Sequence, residues 1–299
     1  MLKQIALKID VDTYRGTREG VPSLVSALQR HQAQASFFFV LGADRSGRVF
    51  KHLFKPGFFH KAKRIAMFQH YGFKTLLYGT LLPAPDVGEK CAGVMRAVRD
   101  AGFEVGMHGK ERLRWQHQVR QADEKWTQKE MQKAVTRFTQ IFGVAPKSHA
   151  AAGWQTNRFA LRHTQHLGLE YSTDTRGTHP FIPTWDAEIV ACPQLPTTLP
   201  TLDELIGRDG ITQDNVAQYI LALTRMPSPT GHVFNLRAEF EGQLWLPIFE
   251  QLLQGWREQG YDMVALHTYL KNFSVSELPR HEVRRAILPG QIEAVSVQG

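Results

Sequence analysis

The chain has 299 residues, of which 42% are hydrophobic and 21% charged, as is typical of a folded globular protein. It contains no run of about 18 apolar residues, which argues against a transmembrane helix, and a strand begins too near the N-terminus to leave room for a signal peptide. The net charge of +8 favours an anionic partner: nucleic acid, a phosphorylated substrate or an acidic membrane surface. Cys91 and Cys192 are far apart and match no metal spacing, so we expect reduced thiols in a cytoplasmic protein.

Short apolar strands alternate with longer amphipathic helices along the chain. In chain order, the expected strands are IALKID, QASFFFV, FEVGMH, KSHA, LEYST, AEIVAC, HVFNLR and DMVAL. The expected helices are VPSLVSALQRHQ, DVGEKCAGVMRAVRDAG, TQKEMQKAVTRFTQIFG, TQDNVAQYILALTR and LWLPIFEQLLQGWREQG. In the third helix we expect Thr127 and Glu130 to form a capping box and Gly143 to end the helix. This alternation predicts an α/β fold in which residues 1–299 form a single-domain, distorted β/α barrel with a mainly parallel sheet.

Polar side chains follow most of these strands. In a β/α barrel the chemistry lies at the carboxyl ends of the strands, so these side chains are expected to converge on one rim. They are Asp10, Asp12, His108, His149, Asp174, Arg176, Arg237, Glu239 and His267.

The segment from Arg48 to Pro85 is too long for an ordinary connection between a strand and a helix. Its lysines and arginines interleave with phenylalanines and tyrosine, and it contains no acidic residue. This composition suits the headgroup region of an anionic bilayer, so we expect insertion 48–85 to contact a membrane. The alternative is a helical hairpin that packs on the barrel and leaves its lysines in water.

Asp10 and Asp12 lie one residue apart at the end of the first strand. Two such carboxylates can share a metal ion, or one can bind the metal while the other accepts a proton. Taken alone, the spacing is equally compatible with capping or salt-bridge roles.

Several motifs, taken together, resemble the polysaccharide deacetylase (NodB-homology) superfamily. They are KIDVDTYRGTREGVP, EVGMH, AAAGWQ, YSTDTRGTHPF, LPTTLPTLDELIGRD and RAEFEG, in this order. Within the superfamily the chain is most similar to the deformylases of undecaprenyl-phosphate-linked 4-deoxy-4-formamido-L-arabinose. The resemblance implies a metal-dependent hydrolase of a formyl or acetyl amide, serving the lipid A modification that lowers affinity for cationic antimicrobial peptides. It also implies a lipid-linked sugar phosphate as substrate, a zinc, manganese or similar divalent ion, and a cytoplasmic location, peripheral on the inner face of the cytoplasmic membrane.

The resemblance also implies roles for individual residues. Asp10 would be the general base, and Asp12 and His108 would bind the metal. Asp174 and Arg176 would complete the catalytic group near the substrate and the base. The substrate-binding residues would be Arg15, Trp154, Arg237 and Glu239.

Two arginines depart from the family pattern. Arg112 stands four residues after His108, where a second metal-binding histidine is expected, and Arg237 stands where a general-acid histidine is expected. An arginine stays protonated and offers a metal no lone pair, so it can take over neither role. We therefore expect Arg112 to neutralise Asp12 or Asp10, and Arg237 to pair with Asp174 or a substrate phosphate.

Two explanations of the departures remain open. The chemistry has been lost from a fold that still binds a lipid-linked sugar, or other side chains replace the histidines. The possible substitutes are His117, His149 or Glu111 for the ligand, and His267 or Glu239 for the acid.

Nucleic-acid binding is the rival interpretation of the basic charge. The sequence has no helix-turn-helix, zinc-finger or basic-aromatic strand signature, and no glycine-rich phosphate loop follows a strand. The expected partners are therefore the lipid-linked sugar phosphate and an anionic membrane surface, and not nucleic acid.

Overall fold

The computed structural model of the protein describes residues 1–48 and 67–299. Its strands are β1 (Gln4–Val11), β2 (Ser36–Phe39), β3 (Glu104–Met107), β4 (Ser148–His149), β5 (Tyr171–Ser172), β6 (Ile182–Trp185), β7 (Glu188–Ile189), β8 (His232–Arg237), β9 (Asp262–Val264), β10 (Arg280–Ala286) and β11 (Val295–Gln298). Seven of them form one parallel sheet in the order β5-β4-β3-β2-β1-β8, with β9 pairing along the first residues of β1.

Helices cover this sheet. They are α1 (Val21–Arg30), α2 (Met67–Tyr71), α3 (Val87–Lys90), α4 (Ala92–Asp100), α5 (Arg112–Gln118), α6 (Glu124–Phe142), α7 (Arg158–His166), α8 (Leu202–Leu205), α9 (Val216–Leu223), α10 (Leu246–Glu258) and α11 (Leu266–Leu270). No helix in the described part of the chain is both long and apolar enough to cross a bilayer.

The central strands carry apolar side chains on both faces because the sheet is covered on both sides. All four residues of β2 are buried, and Phe37 and Phe39 stack with ring centroids 6.2 Å apart. Continuous apolar runs are typical of parallel strands, which have a helix layer on one face and the barrel interior on the other. The predicted α/β fold with a mainly parallel sheet is confirmed.

An irregular segment closes the barrel between its two edge strands. Gln194 bridges to Ser172 of β5, and a few residues later the amides of Thr198 and Leu199 both donate to the carbonyl of Val233 in β8. Prolines at 193, 196 and 200 interrupt this stretch, and proline lacks the amide that a regular central strand needs. The LPTTLP motif is thus the part of the barrel wall that is not a regular strand.

Two sequence-based details differ from the structure. The AEIVAC stretch contributes β7 to a separate four-stranded sheet in the order β11-β10-β6-β7, instead of joining the barrel. Helix α6 begins three residues earlier than the proposed capping box, because the side chain of Asp123 caps it by accepting from the amide of Trp126. Its end at Gly143, in the left-handed conformation, is as expected.

Candidate active site

The strand register brings the acid pair and His108 to one level of the barrel. Asp10 pairs with Phe38 of β2, which pairs with Gly106 of β3, so His108 lies beside the end of β1. Alternate residues of a strand share a face, which places Asp12 and Asp10 on the same side of the sheet as Lys8. The expected convergence of Asp10, Asp12 and His108 at the carboxyl ends of β1 and β3 is confirmed.

Asp12 lies between an imidazole and a guanidinium. Its Oδ1 is 3.3 Å from Nε2 of His108 and 3.8 Å from Nε of Arg112, the first residue of α5. Arg112 also lies over the ring of Tyr71, with its guanidinium carbon 5.9 Å from the ring centroid. All these side chains are largely buried, so their charges act with little screening by water.

The electrostatics keep Asp12 ionised. Burial alone raises the pKa of a carboxyl, but the adjacent Arg112 and His108 hold the pKa of Asp12 well below its usual range. For His108, burial works against the charged form, but Asp10 and Asp12 outweigh it and raise the pKa. The acid pair is therefore compensated by cationic side chains of the protein itself.

Glu239 fixes the backbone that follows β1. Its Oε1 accepts hydrogen bonds from the amides of Asp12 and Thr13, at 3.1 and 2.8 Å, and from the Thr13 hydroxyl at 2.8 Å. A Cβ at Gly16 would lie 2.0 Å from this oxygen, so a larger residue there would displace the Glu239 side chain from these hydrogen bonds. Burial, and then the charge of Asp12, raises the pKa of Glu239 to about 7.

A buried lysine supports Asp10 from inside the barrel. Nζ of Lys8 lies 3.5 Å from Oδ1 of Asp10, and it donates to the carbonyl of Thr173 at 3.3 Å. Oδ1 of Asp10 has no hydrogen-bond donor among the described residues, and Nδ1 of His108 is 3.8 Å away. The lone pairs of this buried oxygen are therefore not taken up by hydrogen bonds from the described residues.

Asp174 and Arg176 are buried at the wall of the barrel, each with a different partner. Asp174 accepts from the amide of Ala151 at 2.7 Å and pairs with Nδ1 of His149 at 2.8 Å. Arg176 pairs with Glu204 at 2.5 Å. The structure therefore does not place Arg176 against Asp10; its guanidinium fixes the closing segment of the barrel, where it donates to the carbonyls of residues 197 and 199.

Arg237, at the end of β8, pairs with Asp203 through Nη1 and Oδ2 at 3.3 Å. Of the two partners expected for Arg237, Asp174 is not the one present, because Asp174 already pairs with His149 of β4. A substrate phosphate as its partner stays a prediction. Two neighbouring acids of the LDEL sequence therefore form ion pairs with the two arginines: Asp203 with Arg237, and Glu204 with Arg176.

The other two expected substrate-binding residues take different positions. Arg15 pairs with Glu19 at 2.8 Å and donates to the carbonyl of His70 at 2.9 Å, which ties the loop after β1 to α2. Trp154 is buried, and its indole donates to Thr197 at 3.2 Å. Arg15 is thus at the rim, whereas Trp154 belongs to the barrel wall.

The structure leaves few substitutes for the missing histidines. Glu111 pairs with Arg45 at 2.8 Å, and His149 is held by Asp174. His267 was expected on the rim but pairs with Glu104 at 3.2 Å, at the start of β3. Since Glu104 precedes His108 by four strand positions, His267 lies about 13 Å below the acid pair, at the opposite end of the strands.

These residues do not fit the divalent ion that the family resemblance implies. Within residues 1–48 and 67–299, no three His, Cys, Asp or Glu side chains are grouped as a metal would need. Where a third ligand would approach Asp12 and His108, the structure has the guanidinium of Arg112, which repels a cation. Arg112 disfavours a divalent ion in two ways, because its positive charge repels a cation and because it has no lone pair to donate to a metal.

Of insertion 48–85, residue 48 and residues 67–85 lie within the described part of the chain. The imidazole of His70 packs against the rings of Phe240 and Trp245, with centroids 4.7 and 4.5 Å away, so α2 rests on the loop after β8. Further along, Phe73 and Leu81 are 72% and 80% exposed. The basic and aromatic residues from 49 to 66, on which much of the membrane prediction depends, lie outside the described residues.

Sequence reasoning missed Lys8, Asp203 and Glu204 as parts of the site. Lys8 had a usable signal, because it shares its strand face with Asp10 and Asp12. Asp203 and Glu204 lie in the LPTTLPTLDELIGRD motif, but no local pattern pairs them with their arginine partners, which are 34 and 28 residues away in the chain.

Comparison with known proteins points to one family. A family model described as polysaccharide deacetylase matches residues 3–172. The chain is 34% identical over 289 residues to the probable 4-deoxy-4-formamido-L-arabinose-phosphoundecaprenol deformylase ArnD of Shewanella sediminis, covering 96% of this chain and 92% of that protein. It is 28% identical to the probable deformylase of the same name from Wigglesworthia glossinidia brevipalpis, covering 92% and 96%.

A solved structure shows the same fold at low identity. The crystal structure of a probable polysaccharide deacetylase from Pseudomonas aeruginosa PAO1 matches with a TM-score of 0.58 at 16% identity, covering 89% of this chain and 90% of the other. From the family model, the relatives and this shared fold together, we conclude that the chain belongs to the polysaccharide deacetylase family.

Proposed function

We propose that the protein hydrolyses the formamide of 4-deoxy-4-formamido-L-arabinose linked to a polyprenyl phosphate, a step of lipid A modification. Water adds its oxygen to the formyl carbon, the carbon–nitrogen bond breaks, and formate and the free amine leave. The observation that carries the proposal is the meeting of Asp10, Asp12 and His108 at the strand ends, in a chain that aligns almost throughout with proteins named for this reaction.

Asp10 is the proposed general base. Its Oδ1 has no hydrogen-bond donor among the described residues, and it lies 3.5 Å from Nζ of Lys8 and 3.8 Å from Nδ1 of His108. A carboxylate in this state can accept the proton of an attacking water.

The positive charge of the site comes from the protein in this proposal. Deacetylases of the family are generally metal-dependent, but here Arg112 occupies the side of Asp12 where a further ligand would be needed. Fixed cationic donors stabilise the negative charge that develops on an amide oxygen during hydrolysis. Arg112 and His108, whose pKa is raised by Asp10 and Asp12 against the effect of burial, are placed to do this.

The acyl group and the location complete the proposal. We assign a formyl group and a peripheral position on the inner face of the cytoplasmic membrane, where a lipid-linked substrate would be reached. The exposed Phe73 and Leu81, near the basic Lys74, support contact of insertion 48–85 with an anionic surface.

The test is formate release from undecaprenyl-phosphate-linked formamido-arabinose in detergent, with the acetamido sugar in parallel. We expect native protein to release formate in the presence of a chelator, and Asp10→Asn to lower the rate at least about 100-fold because the general base is lost. Asp262→Asn, which changes an exposed carboxylate on β9, is the matched control and should keep the native rate. Equal rates for native protein and Asp10→Asn would contradict the proposed role of the acid pair.

Arg237 favours a second candidate, binding of the lipid-linked sugar without turnover. It replaces the expected general acid, is paired with Asp203, and retains its proton. For hydrolysis to occur, the departing amine needs a proton from another group. Glu239 is the carboxyl beside Asp12 that can supply it, since its pKa is raised to about 7. Tight binding of the substrate with no formate release, by native protein and by protein supplied with zinc or manganese, would select this second candidate.

A further inference from the structure

A basic cavity opens beside the acid pair. An inner cavity of about 20 Å³ is bordered by Asp12 and Arg112, among others. An outer cavity of about 210 Å³ is lined by Arg45, Arg48, Leu113, Arg114, His117 and Gln118. The two cavities share four of these lining residues, so the outer one adjoins the site without overlapping the acid pair.

The lining of the outer cavity is cationic. It has three guanidinium groups and one imidazole, and no carboxylate. Glu111 pairs with Arg45 at 2.8 Å but borders only the inner cavity, and Glu130 pairs with Arg114 at 3.3 Å from helix α6. Each guanidinium has five N–H donors, so one carboxylate contact leaves others for a ligand.

We infer that this outer cavity is a phosphate subsite, and that it binds the phosphate of the lipid-linked sugar; this assignment rests on the proposed function. Guanidinium forks match the tetrahedral oxygens of a phosphate and bind them more strongly than neutral donors do. The volume is sufficient for a phosphate with part of its sugar.

The geometry of the substrate fits two adjoining cavities. In the proposed substrate the formamido group at carbon 4 and the phosphate at carbon 1 are at opposite ends of one sugar ring. When the formamide lies at Asp10 and Asp12, the phosphate must therefore lie one ring away, beside the acid pair instead of on it. A phosphate against the carboxylates would be repelled, whereas in the outer cavity it meets arginines.

The test uses three probes with native protein, two arginine variants and one control variant. Arg114→Gln and Arg48→Gln each remove one cation at a largely exposed position, and Lys147→Gln removes a surface cation that pairs with Glu170 elsewhere. The probes are inorganic phosphate, undecaprenyl phosphate in neutral detergent micelles and phosphatidylglycerol vesicles, and thermal unfolding confirms that each variant is folded.

We expect inorganic phosphate to bind native protein, and its Kd to rise at least about tenfold in Arg114→Gln and in Arg48→Gln but not in Lys147→Gln. Undecaprenyl phosphate should displace inorganic phosphate at lower concentration than phosphatidylglycerol does. Unchanged affinity in both arginine variants would overturn the subsite, and equal displacement by phosphatidylglycerol would overturn its assignment to the substrate.

Formate release separates this inference from the proposed function. If native protein releases formate while the two arginine variants bind phosphate as native protein does, the reaction stands and the subsite is wrong. If the variants lose phosphate binding while native protein releases no formate from any substrate, the subsite stands and the reaction is wrong.

Discussion

Nε of Arg112 lies 3.8 Å from Oδ1 of Asp12, and both side chains are largely buried. The expectation that an arginine would neutralise the acid pair is therefore confirmed in its geometry. The two charges compensate each other. Asp12 offsets the free-energy cost of burying the guanidinium, and Arg112 offsets the cost of burying the carboxylate. This relationship has consequences for metal binding that can be measured.

We predict that native protein binds zinc weakly and that Arg112→His raises the affinity at least about tenfold, equivalent to about 1.4 kcal/mol. The substitution removes a fixed positive charge and adds an imidazole to Asp12 and His108, giving three ligands with positions left for water. Calorimetric titration measures the affinity. Arg114→His, on the same helix but paired with Glu130, is the matched control and should behave as native protein. Tight one-to-one binding by the native chain, abolished by Asp12→Ala, would show the prediction to be wrong.

We predict that the double variant Arg112→His with Arg237→His hydrolyses the formamide in a metal-dependent way. The first change completes a set of ligands, and the second places a titratable proton donor beside the departing amine. Formate release should then rise on adding zinc and fall with a chelator, whereas native protein should not respond to the chelator. A double variant that binds zinc but shows no zinc-dependent release would rule out this account of the two arginines.

The alternating pattern of the sequence was sufficient to predict the sheet and the meeting of Asp10, Asp12 and His108. Both follow from local rules: strand parity places the two acids on one face, and parallel strands bring their carboxyl ends to one rim. The closing segment from Gln194 to Leu199 was not predictable in this way, because its prolines prevent a regular strand and its partners are distant in the chain.

His267 shows how strand register limits such predictions. It follows a correctly predicted strand, but β9 pairs with only the first residues of β1, from Gln4 to Ala6. The end of β9 therefore lies well below the end of β1, and His267 meets Glu104 at the start of β3. No local pattern in the sequence specifies how far along its neighbour a strand begins to pair.

We predict that Asp174→Ala lowers the free energy of unfolding by about 3 kcal/mol. Asp174 is fully buried, and its removal leaves His149 and the amide of Ala151 without their partner. Asp100→Ala, which removes an exposed carboxylate that pairs with Arg99, should cost less than about 1 kcal/mol. Urea unfolding measures both variants, and equal losses would exclude the structural role assigned to Asp174.

We predict that Phe73→Ser combined with Leu81→Ser weakens binding to phosphatidylglycerol vesicles, because both side chains are exposed at the described end of insertion 48–85. Binding by native protein should also weaken as salt rises, since the attraction of the basic residues is screened. Met226→Ser removes another apolar side chain that is 77% exposed, outside the insertion, and serves as the control. Vesicle sedimentation measures binding. The same partitioning for the double variant and for native protein would contradict the membrane role of the described part of the insertion.

We predict that Glu241→Gln removes part of the dependence of stability on pH. Burial raises the pKa of Glu241 to about 8, and its Oε2 accepts the amide of Arg237 at 2.7 Å. The folded protein therefore holds a proton that the unfolded chain releases near its ordinary pKa of 4.5. The resulting stabilisation is fully present below about pH 4.5 and is lost as the pH rises towards 8, at up to about 1.4 kcal/mol per pH unit.

A glutamine stays neutral throughout and can still accept from the Arg237 amide, so the Glu241→Gln variant should match native protein near pH 5 and exceed it in stability at pH 8. Urea unfolding between pH 5 and 8 tests this, with Glu258→Gln as an exposed control. A difference between native protein and Glu241→Gln that stays constant over this range would mean that Glu241 is ionised in the folded protein throughout.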